Sequence, residues 1–328
     1  MPIISVEGLT KSYNSIPAIK GISFNVEEGT IFGFLGPNGA GKTTTISILC
    51  TILKPTGGRA VVHGYDCMKE PSKVRQSIGI VFQDTTLDKD LTAFENLYYH
   101  AILYNVEKPL RKKRADEALR FVGLYDRKDD IVRRFSGGMK RRLEVARAVV
   151  HQPSILFLDE PTLGLDPQSR TSLWEFITRL PEDKGVTVFM TTHYMEEAEV
   201  CDTIAIIDEG KIIAEGSPEE LKKEVGRDVI YLKAVDNVKA LDILKERFRF
   251  SATIKGDEIF IPVTGGEACI PDLIRVLGEM ALSVRMQRPT LNDVFLKLTG
   301  KGIRHEGHGD SNEIKDAIRA YRRRFDRG

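Results

Sequence analysis

Gly36-Pro37-Asn38-Gly39-Ala40-Gly41-Lys42-Thr43-Thr44 is the stretch whose reading decides the fold. Gly36, Gly41, Lys42 and Thr43 satisfy G-x-x-x-x-G-K-[ST], in which glycines let successive amides turn inward around an anion with no Cβ in the way. The apolar run at 30–35 reads as a buried strand, and residues 43–53 set Ile46, Leu49 and Ile52 at helical spacing. Strand, glycine-rich loop and helix in that order aim a helix N-terminus and its positive dipole end at the loop. A triphosphate fits there, with Lys42 reaching its β and γ phosphates and the Thr43 hydroxyl ligating Mg²⁺.

Working outward, several more segments set polar residues at strand ends or helix starts. Residues 3–9 and 19–26 alternate as antiparallel strands joined by a turn at 14–17. Tyr13 lies in that turn, as either an ordinary turn tyrosine or a flat face for a purine to stack on. The buried run 78–82 ends at Gln83, whose neutral amide suits Mg²⁺ or an attacking water. Residues 91–104 and 110–124 read as amphipathic helices, with Arg111 to Arg114 a solvated face. Ser136, Gly137 and Gly138 precede a helix over 140–150, which makes them a simple helix cap or a second anion site. Asp159 and Glu160 follow the apolar strand 155–158, 117 residues after Lys42. Charges there need a partner: a structural salt bridge is one, and Mg²⁺ on Asp159 with a water polarised by Glu160 is the other. His193 ends the buried strand 186–191, at the carboxyl edge where parallel sheets bind ligands. A hairpin over 204–214 closes this part of the chain.

Composition sets the bounds. With 328 residues, 41% hydrophobic and 29% charged, the chain is long enough for more than one domain, and its net charge of +1 gives no overall field for nucleic acid or acidic lipid. Cys50, Cys67, Cys201 and Cys269 lack metal-ligand spacing and read as core thiols of a reducing compartment. No stretch approaches the ~18 uninterrupted apolar residues of a membrane span, and the start shows no secretory signal.

In this order, Gly36 to Thr43, Gln83, Phe135 to Met139, Ile155 to Glu160, Gly164 to Asp166 and His193 resemble the motifs of the ATP-binding subunit of an ABC transporter, over roughly residues 1–220. The resemblance implies an α/β P-loop ATPase fold, with a mixed sheet core, an antiparallel β subdomain and a helical subdomain. It also implies ATP and Mg²⁺ as ligands, the metal held by Thr43, Gln83 and Asp159. Tyr13 would stack on adenine, Glu160 would be the catalytic base, and His193 would contact the γ-phosphate. Gln83 would head the loop that senses a membrane partner, and Asp166 would lie at a dimer seam. In such a family Ser136, Gly137 and Gly138 reach the γ-phosphate held by a second copy, so that two ATP molecules join two chains. The common signature is Leu-Ser-Gly-Gly-Gln, whereas Phe135 and Met139 stand at its ends here. A thioether cannot make an amide's hydrogen bonds.

Residues 228–287 read strand, helix, two strands, helix, strand, the order of a ferredoxin-like accessory module. Residues 289–300 look like the ending of ATPases from the DrrA-like drug and lipid exporters, of ABC-2 type. The expected division is therefore 1–222 for ATP binding, 226–300 for the accessory domain, 301–312 for a polar linker and 313–328 for a basic amphipathic helix. The leading expectation is an ATPase at the cytoplasmic face of a membrane, dimerising with itself and driving a separate permease through the Gln83 loop and the helical subdomain. Relatives acting on DNA or ribosomes, or serving ion efflux or import, are the alternatives. The former insert coiled coils or zinc modules between the ATP motifs, and here only a compact helical segment fits, so no nucleic-acid partner is expected.

Overall fold

The computed structural model describes residues 2–226, 228–248 and 250–300; the expected linker 301–312 and basic helix 313–328 lie outside the described residues. The chain divides into two compact units, the first running to Pro218 and the second starting at Glu219.

Two sheets form the first unit. The antiparallel one begins with a hairpin of β1 (Ile4–Tyr13) and β2 (Ile16–Val26), to which β4 (Gly57–Val62) and β5 (Tyr65–Asp66) add in the order β2-β1-β4-β5. Asn14 and Ser15 both have positive φ, which lets the two strands close over a two-residue turn and run further toward each other than their alternation suggested. Tyr13 consequently ends β1, paired with Ile16, rather than sitting in the turn.

The second sheet contains β3 (Ile31–Leu35), β6 (Ile78–Val81), β7 (Ile155–Asp159), β8 (Thr187–Thr192), β9 (Thr203–Asp208) and β10 (Lys211–Gly216). Its order is β10-β9-β3-β8-β7-β6, parallel throughout except for the β9–β10 hairpin. All five residues of β3 and of β7 are buried, as expected for a parallel sheet covered on both faces. Phe24 of β2 stacks on Phe32 of β3 at 5.5 Å between ring centroids, and Phe32 on Phe189 of β8 at 5.3 Å. These rings join the two sheets, and truncating one to alanine costs about 3–5 kcal/mol.

Between β6 and β7 lie α3 (Ala93–Leu103), α4 (Lys108–Phe121) and α5 (Gly137–Val149). They share a core that includes Leu97, Ala101, Leu119, Phe135, Leu143 and Ala146. A capping box of Thr92 and Glu95 fixes the start of α3. Helix α1 (Lys42–Leu49) is shorter than its apolar spacing suggested: Cys50 caps it, Thr51 turns left-handed at φ 61°, and Ile52 is exposed.

The second unit follows the expected order of elements. It has β11 (Asp228–Ala234), α10 (Asn237–Phe248), β12 (Thr253–Lys255), β13 (Glu258–Val263), α11 (Gly266–Leu277), β14 (Ala281–Gln287) and α12 (Leu291–Thr299). The strands pair antiparallel as β12-β13-β11-β14. Ile230, Leu232, Ile259 and Ile261 alternate onto one face and pack with Leu244 and Leu273 from the helices. Among the described residues no helix is long and apolar enough to cross a membrane.

Candidate functional site

The carboxyl ends of β3, β7 and β8, adjacent in the sheet, gather most of the polar residues singled out above. The glycine-rich loop leaves β3 at Gly36, where a Cβ would lie 2.2 Å from the Ile207 carbonyl oxygen; no other residue fits without moving β9. Gly41 has φ +112° and faces the Ala18 carbonyl of β2, so the hairpin that ends in Tyr13 runs alongside the loop. Tyr13 is itself 44% exposed, with the Lys11 ammonium 5.1 Å from its ring centroid. Gly41 is also the N-cap of α1, and no side chain caps that end, which leaves the first-turn amides free to bind an anion. Asn38, Gly39 and Thr43 are exposed, Pro37 and Thr44 partly so, and Ala40 is buried beneath them.

Lys42 is only 4% exposed. Burying an ammonium without partners costs several kcal/mol, and here it donates to the carbonyls of Gly36 (2.8 Å) and Pro37 (3.1 Å) and lies 3.2 Å from Glu160 Oε1. Burial lowers its pKa from the ordinary lysine value, with Glu160 and Asp159 opposing the shift. The other oxygen of Glu160 lies 3.2 Å from His193 Nδ1, at an angle that makes no aligned hydrogen bond. Burial raises the Glu160 carboxyl, but His193 and Lys42 outweigh it and hold the group below the usual glutamate range. It is therefore a carboxylate at neutral pH, able to orient a water and accept its proton.

Glu160 has φ +44°, a conformation that costs a non-glycine residue about 1–3 kcal/mol and persists only where its surroundings impose it. Its amide donates to the Thr191 carbonyl at 3.2 Å and to the Thr191 hydroxyl at 3.1 Å. That hydroxyl in turn donates to Asp159 Oδ1 at 2.6 Å, and the Thr43 hydroxyl lies 3.3 Å from the same oxygen. A buried carboxylate beside a hydroxyl is a hard oxygen pair of the kind Mg²⁺ takes when phosphates and water complete its shell. Gln83 lies two residues beyond β6 and is exposed; among the described residues it makes no hydrogen bond to Thr43 or Asp159.

A second cluster shares no hydrogen bond with the first among the described residues. Ser136 caps α5 by accepting from the Met139 amide at 3.2 Å, and with Gly137 it is exposed. Gly138 packs so closely on Ser169 that a Cβ would lie 2.2 Å from the Ser169 hydroxyl. Ser169 also binds Asp166, the N-cap of α6 (Pro167–Ile177), through its amide (2.9 Å) and hydroxyl (2.7 Å). The structure thus brings Ser136, Gly137, Gly138 and Asp166 together, and separately Lys42, Thr43, Asp159, Glu160 and His193.

Sequence reasoning overlooked several buried polar groups around these clusters. Glu197, 1% exposed, accepts from the hydroxyls of Thr162 and Thr192 (2.6 Å to the latter), joining the loop after Glu160 to the strand before His193. Burial raises its carboxyl above the usual range. Arg141 and Glu144, on α5, are 7% and 3% exposed; Arg141 donates to carbonyls at the end of β7, and Glu144 accepts from Arg141 and from the Thr86 amide. Their spacing of three residues was the available signal, but it reads equally well as a solvated helix face.

A family model described as ABC transporter matches residues 19–163. Over 311 residues the chain is 39% identical to the linearmycin resistance ATP-binding protein LnrL of Bacillus subtilis (strain 168), covering 92% of this chain and 100% of that one. It is 41% identical over 310 residues to the daunorubicin/doxorubicin resistance ATP-binding protein DrrA of Streptomyces peucetius, covering 90% and 92%. Among solved structures it resembles the dimeric post-hydrolysis state of the ATP-binding cassette MJ0796 bound to ADP and Pi, with a TM-score of 0.60 and 30% identity over 65% of this chain and 98% of that one. With the glycine-rich loop, the paired acids and the strand-end histidine in place on such a cassette, the chain belongs to the ABC transporter family as an ATP-binding subunit, an ATPase.

Proposed function

We propose that this chain powers an exporter, binding two ATP between two copies of itself and driving a separately encoded membrane permease whose cargo is a hydrophobic drug, antibiotic or lipid-like compound. The observation that carries the reading is that, among the described residues, the two polar clusters share no hydrogen bond or ion pair. Ser136 and its neighbours offer exposed amides at a helix start, and within one chain they are grouped with Asp166 rather than with Lys42. A γ-phosphate held by Lys42 in one copy is then completed by the Ser136 loop of the other. The names of the drug-resistance relatives support the choice of export and of an apolar cargo.

In this reading the loop amides and Lys42 neutralise phosphate charge, and Tyr13 offers its exposed ring to the adenine. Glu160 orients the attacking water and takes its proton, and His193 steadies the γ-phosphate. Thr43 and Asp159, with Gln83, would hold Mg²⁺, which when bound supplies positive charge to the phosphate oxygens. Loss of the γ-phosphate weakens the clasp and lets the two copies part. Phe82, beside Gln83, and Tyr99, Ile102 and Leu103 of α3 are large apolar residues left exposed, Leu103 by 77%. These exposed residues support a permease contact through the Gln83 loop and the helical subdomain, with the chain working at the cytoplasmic face of the membrane.

Purification of the tagged chain from detergent-solubilised membranes tests this. A polytopic membrane protein should co-purify in stoichiometric amount, and be lost when Leu103 and Tyr99 are both changed to Asp. Recovery of ribosomes or nucleic acid with no membrane protein would reject the export reading.

A further inference from the structure

Along helix α5, Arg141, Glu144 and Arg147 follow one another at three-residue spacing, and each hydrogen-bonds the backbone of a loop outside the helix. Arg141 Nε donates to the Pro161 carbonyl at 2.6 Å. One terminal nitrogen donates to the carbonyls of Asp159 (3.2 Å) and Glu160 (3.3 Å), and the other to the Phe82 carbonyl and to Glu144 Oε2 (3.0 Å). All five N–H donors of the guanidinium are thereby used. Glu144 accepts from the Thr86 amide at 2.9 Å with its other oxygen, and Arg147 donates to the Thr86 carbonyl at 2.8 Å and to the Thr86 hydroxyl. Two loops therefore hang on one face of one helix. The first is the segment around Gln83, held at both ends, and the second is the run of carbonyls at 159–161 that brackets Glu160.

Ordinary helix capping does not explain this convergence, because the carbonyls come from two different strand ends and Arg141 lies inside its own helix. The left-handed turn at Glu160 supplies the reason. Its amide is fixed by Thr191 on one side, and its carbonyl and the preceding one are fixed by Arg141 on the other. Release either side and the residue is free to leave a conformation that non-glycine residues avoid, carrying its carboxylate away from Lys42 and His193. Lysine, with three donors at one point, cannot replace a planar fork that reaches four carbonyls and a carboxylate.

We infer that Arg141, oriented by Glu144, is a positioning residue that holds Glu160 in its catalytic conformation and links that conformation to the loop carrying Gln83, so that a displacement of either loop is felt by the other. The inference rests on the proposed role of Glu160 as base. It also gives the Gln83 loop and the Ser136 end of α5 a common mechanical element, since both move with this helix.

The test compares Arg141→Lys, Glu144→Gln and Glu160→Gln in the full chain, by steady-state ATP hydrolysis, equilibrium ATP affinity, thermal melting and hydrogen exchange of the segments 82–86 and 159–162. Positioning predicts that Arg141→Lys and Glu144→Gln each lower kcat on the order of 10- to 100-fold while KM and ATP affinity change less than about threefold. It also predicts that exchange rises in both segments together. Glu144→Gln keeps the shape of the side chain and carries the test if Arg141→Lys does not fold. Wild-type kcat in the Glu144→Gln variant, or faster exchange in one segment alone, overturns the inference. So does a parallel loss of kcat, ATP affinity and melting temperature, the mark of a merely structural role. Unchanged hydrolysis in Glu160→Gln would instead remove the assignment of the base, a separate failure.

Discussion

The two units of this chain treat charge in opposite ways. The first buries Lys42, Asp66, Arg141, Glu144, Asp159 and Glu197, all but Asp66 of β5 around the sheet edge described above, whereas no charged side chain among the described residues of the second is buried to that degree. The ion pairs of the second, such as Lys233–Asp257 and Arg285–Glu258, lie at its surface, where such pairs contribute about 0–1 kcal/mol. Its interior is built from Ile230, Leu232, Ile259, Ile261 and their neighbours. Buried charge is costly and rarely the cheapest way to stabilise a fold. Its concentration around one sheet edge therefore marks where the chemistry is, and its absence marks the second unit as a fold held by apolar packing.

The sharpest way to break this contrast is to remove one charge from the first unit without changing its shape. Glu160→Gln should lower ATP hydrolysis by about 10²–10³-fold while ATP still binds, as read by phosphate release and by equilibrium titration. Near-normal turnover would mean that this carboxylate is structural after all. Next comes a change of packing in the second unit. Ile261→Ala, at a fully buried position, should cost that unit about 2–5 kcal/mol and leave the hydrolysis rate of the first within about twofold, as read by differential scanning calorimetry beside the ATPase assay. A collapse of hydrolysis at temperatures where the second unit is still folded would show that the division is misdrawn.

A smaller effect distinguishes the units by pH. Burial pushes the imidazoles of His100 and His151 down to about 3 and about 4, and their rings cluster with Tyr104. Because these folded-state values lie below the ordinary value of 6.5, the unfolded chain takes up protons first as the pH falls. The stability that depends on keeping both rings neutral is complete above about pH 6.5 and declines below it, by roughly 2 kcal/mol per histidine at pH 5. The second unit has no histidine between residues 219 and 300, so its melting should not share this decline. His151→Asn should flatten the acid slope of the first unit, and an unchanged slope would contradict the assignment.

What could be seen in advance follows from the range of each signal. The loop at 36–44, the acids after β7 and the histidine after β8 are local patterns, each set by a strand or helix on its immediate flank, and the structure brings them to one edge of the sheet. In the second unit alternation predicted the elements, and their reading as a ferredoxin-like module carries the strand order β12-β13-β11-β14 that the structure has, whereas the residue-by-residue register depends on pairings between distant residues that no local pattern encodes. Arg141 stayed hidden for the same reason. Its partners are the carbonyls of Phe82 and of residues 159–161, and backbone acceptors have no identity in a sequence. Tyr13 was misplaced by the left-handed pair Asn14 and Ser15, which tightens the hairpin beyond what polar residues alone suggest.

The claim on which the rest depends is that ATP is held between two copies of this chain. The most direct measurement is the solution mass of the Glu160→Gln variant with ATP and Mg²⁺, by light scattering across a range of protein concentrations. The account predicts a dimer that reverts to monomer when ATP is withdrawn or when Lys42→Ala is added. A variant that binds ATP fully and still has the mass of one chain at every concentration would contradict it.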